Sequence, residues 1–352
     1  MSARPALQRA LWAGVAGAAA IGTAAAQDEP HLQGPPPTQD RGVLSFVVEN
    51  DSLSSGNDRN YTSGVKLAYV APADVMPDWI RDRDGITRPI SGSDPDFWGV
   101  AIGQSIFTPE DIQSVPPPTD QHPYAGWLYL QIMMAAEEDT APGVAPGHLD
   151  LYELELGIVG PGAQGRQAQR GIHAALGAPD PQGWDFQLED EFAFALAFER
   201  RWRALRLYTD YVPGGLELDL TPNAGITLGT LRTEAKAGVA LRVGYGLDGD
   251  YGPTRVRPGL TGVGHFAARP FAWSVFAAVD GRAVGRNLFL DGNTYRDSAS
   301  VEKRNFVLDA QLGFTVQVQD VRLAYTYVTR TEEFETQSAL QDFGALSLSF
   351  RF

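Results

Sequence analysis

The sequence predicts an all-β protein, a transmembrane antiparallel β-barrel of about 12 strands that carries one short helical insert. The first observation is the alternation of large apolar residues with small or polar ones along many segments, as in residues 192–198, where Phe and Leu alternate with Ala. The second is the occurrence of aromatic residues near the ends of these segments, which is typical of the girdles of membrane barrels. The third is the last segment of the chain, which alternates in the same way and ends on Phe352.

The alternation by itself is equally typical of a soluble β-sandwich, which is therefore the alternative fold. The opposite faces of these segments are rich in Gly, Ala, Ser and charged residues, which suits the lumen of a barrel better than a dry core. The ending on Phe352 is similar to the C-terminal recognition signal of bacterial outer-membrane barrels. The aromatic residues that we assign to the membrane interface are Trp202, Tyr208, Tyr211, Tyr325 and Tyr327. Together these features favour the barrel.

The alternation marks the candidate strands along a single domain. They are residues 43–50, 61–71, 97–105, 125–136, 149–159, 190–203, 205–212, 216–230, 234–246, 269–282, 304–318, 320–331 and 342–352. A single-chain barrel is expected to have an even number of strands, so one of these candidates must merge or shift. The candidate at 216–230 is interrupted by Thr221, Pro222 and Asn223, and we expect the irregularity there.

The first 40 residues are predicted to lie outside the barrel. Residues 1–26 begin with a region that contains Arg, continue as an Ala-rich and Gly-rich apolar run and end in three Ala residues. This pattern is that of a secretory signal peptide; a transmembrane helix, the alternative, fits poorly because the run is short and has no positive flank after it. Residues 27–40 are polar and Pro-rich, which predicts a disordered leader. The barrel then occupies residues 41–352.

The composition excludes several classes of protein. The chain has no cysteine, so no disulfide framework holds it after export. Its formal net charge is −15, which argues against nucleic acid as a partner and is compatible with divalent cations. No run of 18 apolar residues follows the signal peptide, so no membrane-spanning helix is predicted.

One stretch between the strands has helical spacing. Residues 160–177 open with Gly-Pro-Gly and close on Gly177, a residue suited to a helix C-terminus. Gln169 and His173 are four residues apart, so they share one face of the predicted helix, where the Gln amide could bond the imidazole or a substrate. A histidine on a short helix in a chain of strands is a candidate functional residue, and a loop histidine without a role is the alternative.

Polar clusters also occur at strand ends. The first candidate strand ends in Glu49-Asn50-Asp51, which by itself is typical of a turn because Asn and Asp side chains bond their own backbone. The loop around residues 82–85, Asp-Arg-Asp-Gly, lacks the other ligand positions of a calcium loop, so we interpret it as solvated. Residues 122–129, His-Pro-Tyr-Ala-Gly-Trp-Leu-Tyr, are interpreted as part of the membrane-interface girdle.

Six motifs in order resemble those of the lipid A 3′-O-deacylase family, over nearly the whole mature chain. They are Asn50-Asp51; Asp58-Arg59-x-Tyr61-Thr62-x-Gly64; Pro123-Tyr124-Ala125-Gly126-Trp127-Leu128-Tyr129; Gly160-Pro161 with Gln169-x-x-x-His173 and Gly177-Ala178; Gln182-Gly183-Trp184-Asp185; and Leu288-Phe289-Leu290-Asp291-Gly292-Asn293-Thr294. Each motif is weak alone, and their common order makes the signal strong. The resemblance implies a twelve-stranded outer-membrane barrel that requires calcium and removes the 3′-linked acyl or acyloxyacyl chain of lipid A.

The resemblance also implies roles for individual residues. The catalytic His of the family corresponds to His173, and its Gln partner corresponds to Gln169. The Asn-Asp pair at the end of the first strand corresponds to Asn50 and Asp51, and the Thr of the Tyr-Thr-x-Gly segment corresponds to Thr62.

One position departs from the family pattern. The family has Glu six residues after the catalytic His, and this sequence has Pro179 there, followed by Asp180. Asp180 is the candidate substitute for the Glu. With Asn50 and Asp51, it makes up the predicted set of side-chain ligands for Ca2+.

The implied chemistry is consistent with these residue types. A neutral imidazole can take a proton from water near pH 7. A Ca2+ ion held by Asn50 and Asp51 could polarise an ester carbonyl. The sequence has no Gly-x-Ser-x-Gly motif, so water is the predicted nucleophile.

Two other functions stay open at this point. The protein could be a barrel without catalysis, either a pore or a structural protein, or an esterase that acts on phospholipids. A pore needs a continuous wet channel, whereas a lipid A hydrolase needs a plugged barrel with a groove on its side. In each case the expected location is the bacterial outer membrane. For the lipid A hydrolase we expect a monomer that meets lipopolysaccharide in the outer leaflet.

Overall fold

The computed structural model describes residues 41–53, 60–71, 75–78, 95–138, 147–209, 215–247, 266 and 269–352. The predicted signal peptide and leader lie outside these ranges, and so do Asp58, Arg59, Tyr211 and the loop at residues 82–85. The interpretations of those segments therefore remain predictions.

Strands dominate the described residues, as the alternation predicts. They are β1 Val43–Asn50, β2 Asn60–Val70, β3 Phe97–Thr108, β4 Ala125–Glu138, β5 His148–Val159, β6 Glu191–Trp202, β7 Leu205–Thr209, β8 Leu216–Leu228, β9 Arg232–Tyr245, β10 Arg269–Asn287, β11 Phe306–Gln319, β12 Val321–Arg330 and β13 Gln341–Arg351. Apart from β6 and β7, strands that follow one another in sequence pair antiparallel, and β1 pairs with β13.

The sheet closes on itself at β8, where two strands share one place in the wall. β6 pairs with the second half of β8, with Arg201 opposite Asn223, and β7 pairs with the first half, with Leu205 opposite Leu220. From Arg201 to Leu205 the chain thus advances four residues, whereas the paired stretch of β8, from Asn223 to Leu220, advances three. The one extra residue forms a β-bulge at residues 203–204. β6 and β7 together form one bent strand, and the structure is a closed antiparallel barrel of twelve strands, as predicted.

The irregularity predicted within 216–230 is wrong, because β8 runs unbroken through Pro222, which lies opposite Val239 of β9. The carbonyl of Leu220 accepts a hydrogen bond from the backbone N–H of Ala204 at 3.0 Å, so this edge of β8 faces the bulge. Pro222 lies two residues further along the same edge. Its missing N–H is tolerated there because the bulge already interrupts the ladder.

The two faces of the wall differ as expected for a membrane barrel. The outward residues of the strands are mostly large, apolar and exposed, whereas the inward residues are small, polar or charged and buried. In β1, for example, Leu44 and Phe46 point outward, and Ser45 and Glu49 point inward. This pattern is the alternation of lipid-facing and lumen-facing residues in transmembrane barrels.

Side chains fill the interior of the barrel. Buried ion pairs occupy part of it, such as Arg232 with Glu155 at 3.0 Å, since a buried charge needs a partner. The end of the barrel at which β1 stops is called the upper end here, and an aromatic cluster occupies the lumen there. In this cluster Phe107 of β3 stacks on Phe289, which follows β10 on the opposite side of the barrel, with ring centroids 4.1 Å apart.

Among the described residues, two α-helices lie in loops of the upper end. Helix α1 is Gly165–Leu176, between β5 and β6, and helix α2 is Leu288–Asp291, directly after β10. Short 3-10 helices are present at Asp51–Leu53, Pro161–Ala163 and Gly183–Phe186. Within the described ranges, no helix is both long enough and apolar enough to cross a membrane.

Candidate active site

Helix α1 forms where the sequence predicts it. Gly160 turns the chain with a φ of +107°, and Pro161 opens the 3-10 helix that leads into α1. The helix ends at Gly177, which has a φ of +70° and donates its N–H to the carbonyl of His173. This left-handed conformation terminates a helix at little cost when the residue is glycine.

The buried face of α1 carries polar residues. Gly165, Gln169 and His173 follow one another at four-residue spacing, and the two polar side chains are only 1% and 5% exposed. The prediction that Gln169 and His173 share a face is confirmed. Arg170 and Ile172 lie on the exposed side. Because a surface helix normally buries an apolar stripe, a Gln and a His on the buried face mark a candidate site.

Helix α1 lies against the outer wall of the barrel, over β3 and β4. The outward residues of β3 run from the exposed Val100 and Ile102 to Gln104 and Ile106. Under α1, Ile106 is buried, and the Gln104 amide donates to the carbonyl of Ala163 at 2.6 Å. The polar face of α1 therefore points at the side of the wall that faces lipid.

A pair of glycines allows this close approach. Gly126 of β4 points outward beside Ile106, and a Cβ added to it would lie 3.1 Å from the backbone nitrogen of Gly165. A Cβ on Gly165 would in turn lie 3.0 Å from the Cα of Gly126 and 2.8 Å from the indole of Trp184. Glycine at both positions lets the backbone of the helix rest directly on the strand.

The predicted residues of the first two strands lie on the same upper outer wall. Asn50 follows Phe46 and Val48 in the outward alternation of β1, and its Nδ2 donates to the carbonyl of Thr62 at 3.0 Å. The hydroxyl of Thr62 is bonded to that of Thr108, at the end of β3, across 2.8 Å. Hydrogen bonds thus join the upper ends of β1, β2 and β3, and β3 is one of the two strands that α1 covers.

Asp51 opens the 3-10 helix that follows β1, and it is 1% exposed. This turn bends over the outer wall, where the hydroxyl of Tyr325 donates to the carbonyl of Leu53 at 3.0 Å. Gly344 of β13 leaves room for the turn, since a Cβ there would lie 2.8 Å from the Cβ of Leu53. Tyr325, which the sequence assigns to the interface girdle, thus also holds the turn that carries Asp51.

The imidazole of His173 has a defined orientation. Its Nδ1 lies 2.6 Å from the carbonyl oxygen of Pro179. A carbonyl only accepts hydrogen bonds, so in the neutral ring Nδ1 carries the hydrogen and Nε2 carries the lone pair. His173 can therefore accept a proton through Nε2.

The main chain of Pro179, at the position where the family has Glu, supports His173. The neighbouring carboxylate of Asp180 has another partner: it accepts a hydrogen bond from Nε of Arg170 at 3.0 Å, and its side chain is 49% exposed. Over the described part of the chain, no group of three or more Asp, Glu or His side chains is arranged to hold a metal ion. The role of Asp180 as a calcium ligand stays a prediction.

The side chain of Gln169 has a protein partner at one of its two polar atoms. Its Oε1 accepts a hydrogen bond from Nε1 of Trp184 at 2.8 Å, whereas its buried Nε2 has no hydrogen-bond partner among the described residues. The spacing suggests a bond from the Gln169 amide to the imidazole or a substrate. The bond observed within the protein is instead the one from Trp184. Trp184 was missed in the sequence analysis, because this residue was named only as part of the Gln-Gly-Trp-Asp motif and no role was predicted for it.

His122 lies on the inner side of the wall, within the upper aromatic cluster. It stacks on Phe107 with ring centroids 5.4 Å apart and meets Phe334 edge to face. Trp127 and Tyr129 also point inward and are buried, so the interpretation of residues 122–129 as an interface girdle is wrong. Burial lowers the pKa of His122, which keeps this ring neutral near pH 7.

With this geometry in place, comparison with known proteins identifies the family. A family model described as "Outer membrane protein LpxR" matches residues 11–352. The chain belongs to the LpxR family. The resemblance inferred from the six motifs is thereby confirmed, and the location of the protein is the outer membrane. A comparison with curated proteins finds no significant match.

Solved structures of outer-membrane proteins are similar to this barrel. LpxR from Salmonella typhimurium superposes with a TM-score of 0.70 at 18% sequence identity, and the match covers 88% of this chain and all of that one. This likeness shows a shared fold. The translocator domain of the autotransporter NalP from Neisseria meningitidis is more distant, with a TM-score of 0.36 at 10% identity over 99% of this chain and 96% of that one.

Proposed function

We propose that this protein is an outer-membrane ester hydrolase that removes the 3′-linked acyl or acyloxyacyl chain of lipid A, with water as the nucleophile. The observation that carries the proposal is the setting of His173, a buried imidazole of defined orientation on a helix held against the lipid-facing wall. Membership of the LpxR family supports the choice of substrate.

In this proposal His173 is the general base. With Nδ1 bound to the carbonyl of Pro179, Nε2 takes a proton from water, and the oxygen of that water attacks the carbonyl carbon of the ester. The imidazolium then returns the proton to the departing sugar oxygen, so a fatty acid and a sugar hydroxyl are released. A positioned general base typically contributes on the order of 10²–10⁴-fold in rate.

Calcium is the proposed cofactor, and the residues present carry the type of ligand atom that it binds. Asn50 and Asp51 supply the amide and carboxylate oxygens that Ca2+ prefers, beside the Thr62 carbonyl that Asn50 binds. Ca2+ takes about six to eight oxygens, so main chain, water or substrate must supply the others. Asp180 is the further proposed ligand, and its carboxylate would have to give up the hydrogen bond from Arg170. When bound, the ion would polarise the ester carbonyl as a Lewis acid.

The position of the site supports a substrate that arrives from the membrane. Gln169 and His173 face the outer wall, on which Asn50 and Thr62 also lie. We place the upper end at the cell surface, so that the site meets lipopolysaccharide in the outer leaflet. We also assign residues 1–26 to export, and we expect the barrel to act as a monomer.

A pore is the main alternative, and the filled lumen argues against it. Phe107 and Phe289 meet from opposite walls, and His122 and Phe334 pack beside them. Recordings in planar bilayers should therefore show no steady conductance for the folded protein. A large, stable channel current would favour the pore.

Mass spectrometry of lipids from expressing cells tests the proposed function. Lipid A and total phospholipid should be analysed together, with and without calcium, and with His173→Ala as the control. We expect lipid A to lose the mass of its 3′ acyl group, while phospholipids stay intact. Cleaved phospholipid with intact lipid A would identify the other esterase. A folded barrel that changes neither lipid would be non-catalytic.

A further inference from the structure

We propose that Trp184 is a positioning residue, which sets the Gln169 carboxamide so that Nε2 donates a hydrogen bond to an oxygen of the scissile ester. This inference rests on the proposed function and deepens it, because it assigns the group that meets the ester oxygen. Its basis is the single hydrogen bond between Nε1 of Trp184 and Oε1 of Gln169, at 2.8 Å.

The chemistry of the indole fixes the orientation of the amide. A Trp side chain has one polar group, an N–H that only donates, whereas an amide has an accepting oxygen and a donating nitrogen. The oxygen of Gln169 must therefore face Trp184, and Nε2 must face away from it. Rotating the amide by half a turn would bring two donors together inside a site where Trp184 is fully buried.

The Nε2 of Gln169 is then a buried donor that lacks an acceptor within the described protein. A buried donor without a partner is destabilising, so the arrangement is favoured when a ligand supplies an acceptor. An ester carbonyl oxygen is an acceptor of this kind, and it gains negative charge as water attacks. Gln169 lies one turn before His173 on the same face, which places the donor beside the proposed base.

The barrel wall holds the indole in place. Trp184 packs with Ile106 of β3 and Tyr124, whose ring centroid is 5.0 Å from that of Trp184. Tyr124 in turn donates its hydroxyl hydrogen to the carbonyl of Ile112 at 3.2 Å. The indole also lies under the first residue of α1, close to Gly165. A purely structural role, in which Trp184 only packs α1 on the wall, is the competing explanation.

The test compares Trp184→Phe with Tyr124→Phe. The first variant keeps an aromatic ring and loses the N–H, whereas the second keeps the ring against Trp184 and loses the bond to Ile112. Both are purified as folded barrels, with heat-modifiable mobility as the check, and assayed on lipid A in detergent micelles with calcium. For Trp184→Phe we expect kcat to fall about tenfold or more, with little change in KM. Tyr124→Phe should stay close to wild type.

A double-mutant cycle separates positioning from packing. If Trp184 acts through the amide, Trp184→Phe should cost nothing further in a Gln169→Ala background. An equal loss in both backgrounds, or full activity of Trp184→Phe, would overturn the inference. A wild-type protein that leaves lipid A intact counts instead against the proposed function.

Gln169→Glu decides the matter if Trp184→Phe does not fold. A carboxylate still accepts the indole N–H but cannot donate to an ester. We expect this variant to be as impaired as Gln169→Ala while the indole N–H resonance of Trp184, followed by NMR in micelles, keeps its hydrogen-bonded shift. An active Gln169→Glu enzyme would show that no donor is needed there.

Discussion

The Nδ1 of His173 donates its hydrogen to the carbonyl oxygen of Pro179 across 2.6 Å. Helix α1 ends between the two residues at Gly177, where a positive φ redirects the chain. A main-chain carbonyl thus orients the imidazole, at the position where the family has a Glu side chain. A neutral carbonyl fixes the tautomer of the ring, but unlike a carboxylate it adds no full charge to stabilise an imidazolium.

Because the acceptor belongs to the main chain, Pro179→Ala should keep the deacylation rate within about threefold of wild type, a barrier change below about 1 kcal/mol. Gly177→Val is the matched variant, since its branched side chain is strained at a φ of +70° and displaces the same carbonyl. We expect it to lose about tenfold or more. A folded Pro179→Ala protein with severe loss would contradict this role of the carbonyl.

Removing the imidazole of His173 should abolish most turnover without unfolding the barrel. His173→Ala is expected to lose on the order of 10²–10⁴-fold in rate, because α1 lies on the wall and contributes no strand to it. The rate is read as loss of the 3′ acyl group from purified lipid A. His122→Phe is the control, since it keeps the stack on Phe107. If His173→Ala stays active and the control is dead, the site is wrongly assigned.

Chelation should abolish activity, and added Ca2+ should restore it. Asp51→Ala should raise the calcium concentration needed for half-maximal rate, because it removes a buried carboxylate of the proposed site. Asp180→Ala tests the second proposed carboxylate, and the exposed pair with Arg170 should itself add less than about 1 kcal/mol to stability. The measurement is a calcium titration of the activity of the wild type and of these two variants. Full activity in excess chelator would rule out the metal.

Contact between α1 and the wall should depend on Gly126. Gly126→Val places carbon atoms where the backbone of Gly165 lies, 3.1 Å from the Cβ position, so the helix must shift outward. We expect the rate to fall about a hundredfold, since small displacements of catalytic groups are costly. Gly171→Ala is the control, because an added Cβ there meets nothing within 4 Å and alanine favours a helix. Equal rates for both variants would refute this contact.

Local patterns account for what the sequence predicts correctly. Period-two alternation specifies inward and outward residues within a strand, and helical spacing places Gln169 and His173 on one face. Both rules act over a few residues and need no knowledge of the partner. The count of twelve strands follows from them together with the even number that closure requires.

The remaining features depend on contacts that spacing does not encode. The merging of β6 and β7 into one strand depends on their register against β8. The aromatic segment at 122–129 has the same sequence pattern whether its rings face lipid or the lumen. The support of His173 comes from a carbonyl, which every residue has and which leaves no mark in a sequence. Trp184 reaches Gln169 across a turn whose path is set by packing on Ile106.

The placing of α1 outside the barrel has a kinetic consequence for an enzyme built this way. Under the proposed function the substrate does not enter the lumen, so the enzyme meets it by a two-dimensional search within one leaflet. The quantity that saturates the enzyme is then the mole fraction of substrate in the membrane plane, and an inert lipid acts as a diluent. Under the same proposal both products, a fatty acid and a lighter glycolipid, leave by the same lateral route, so that the packing of neighbouring lipids limits turnover.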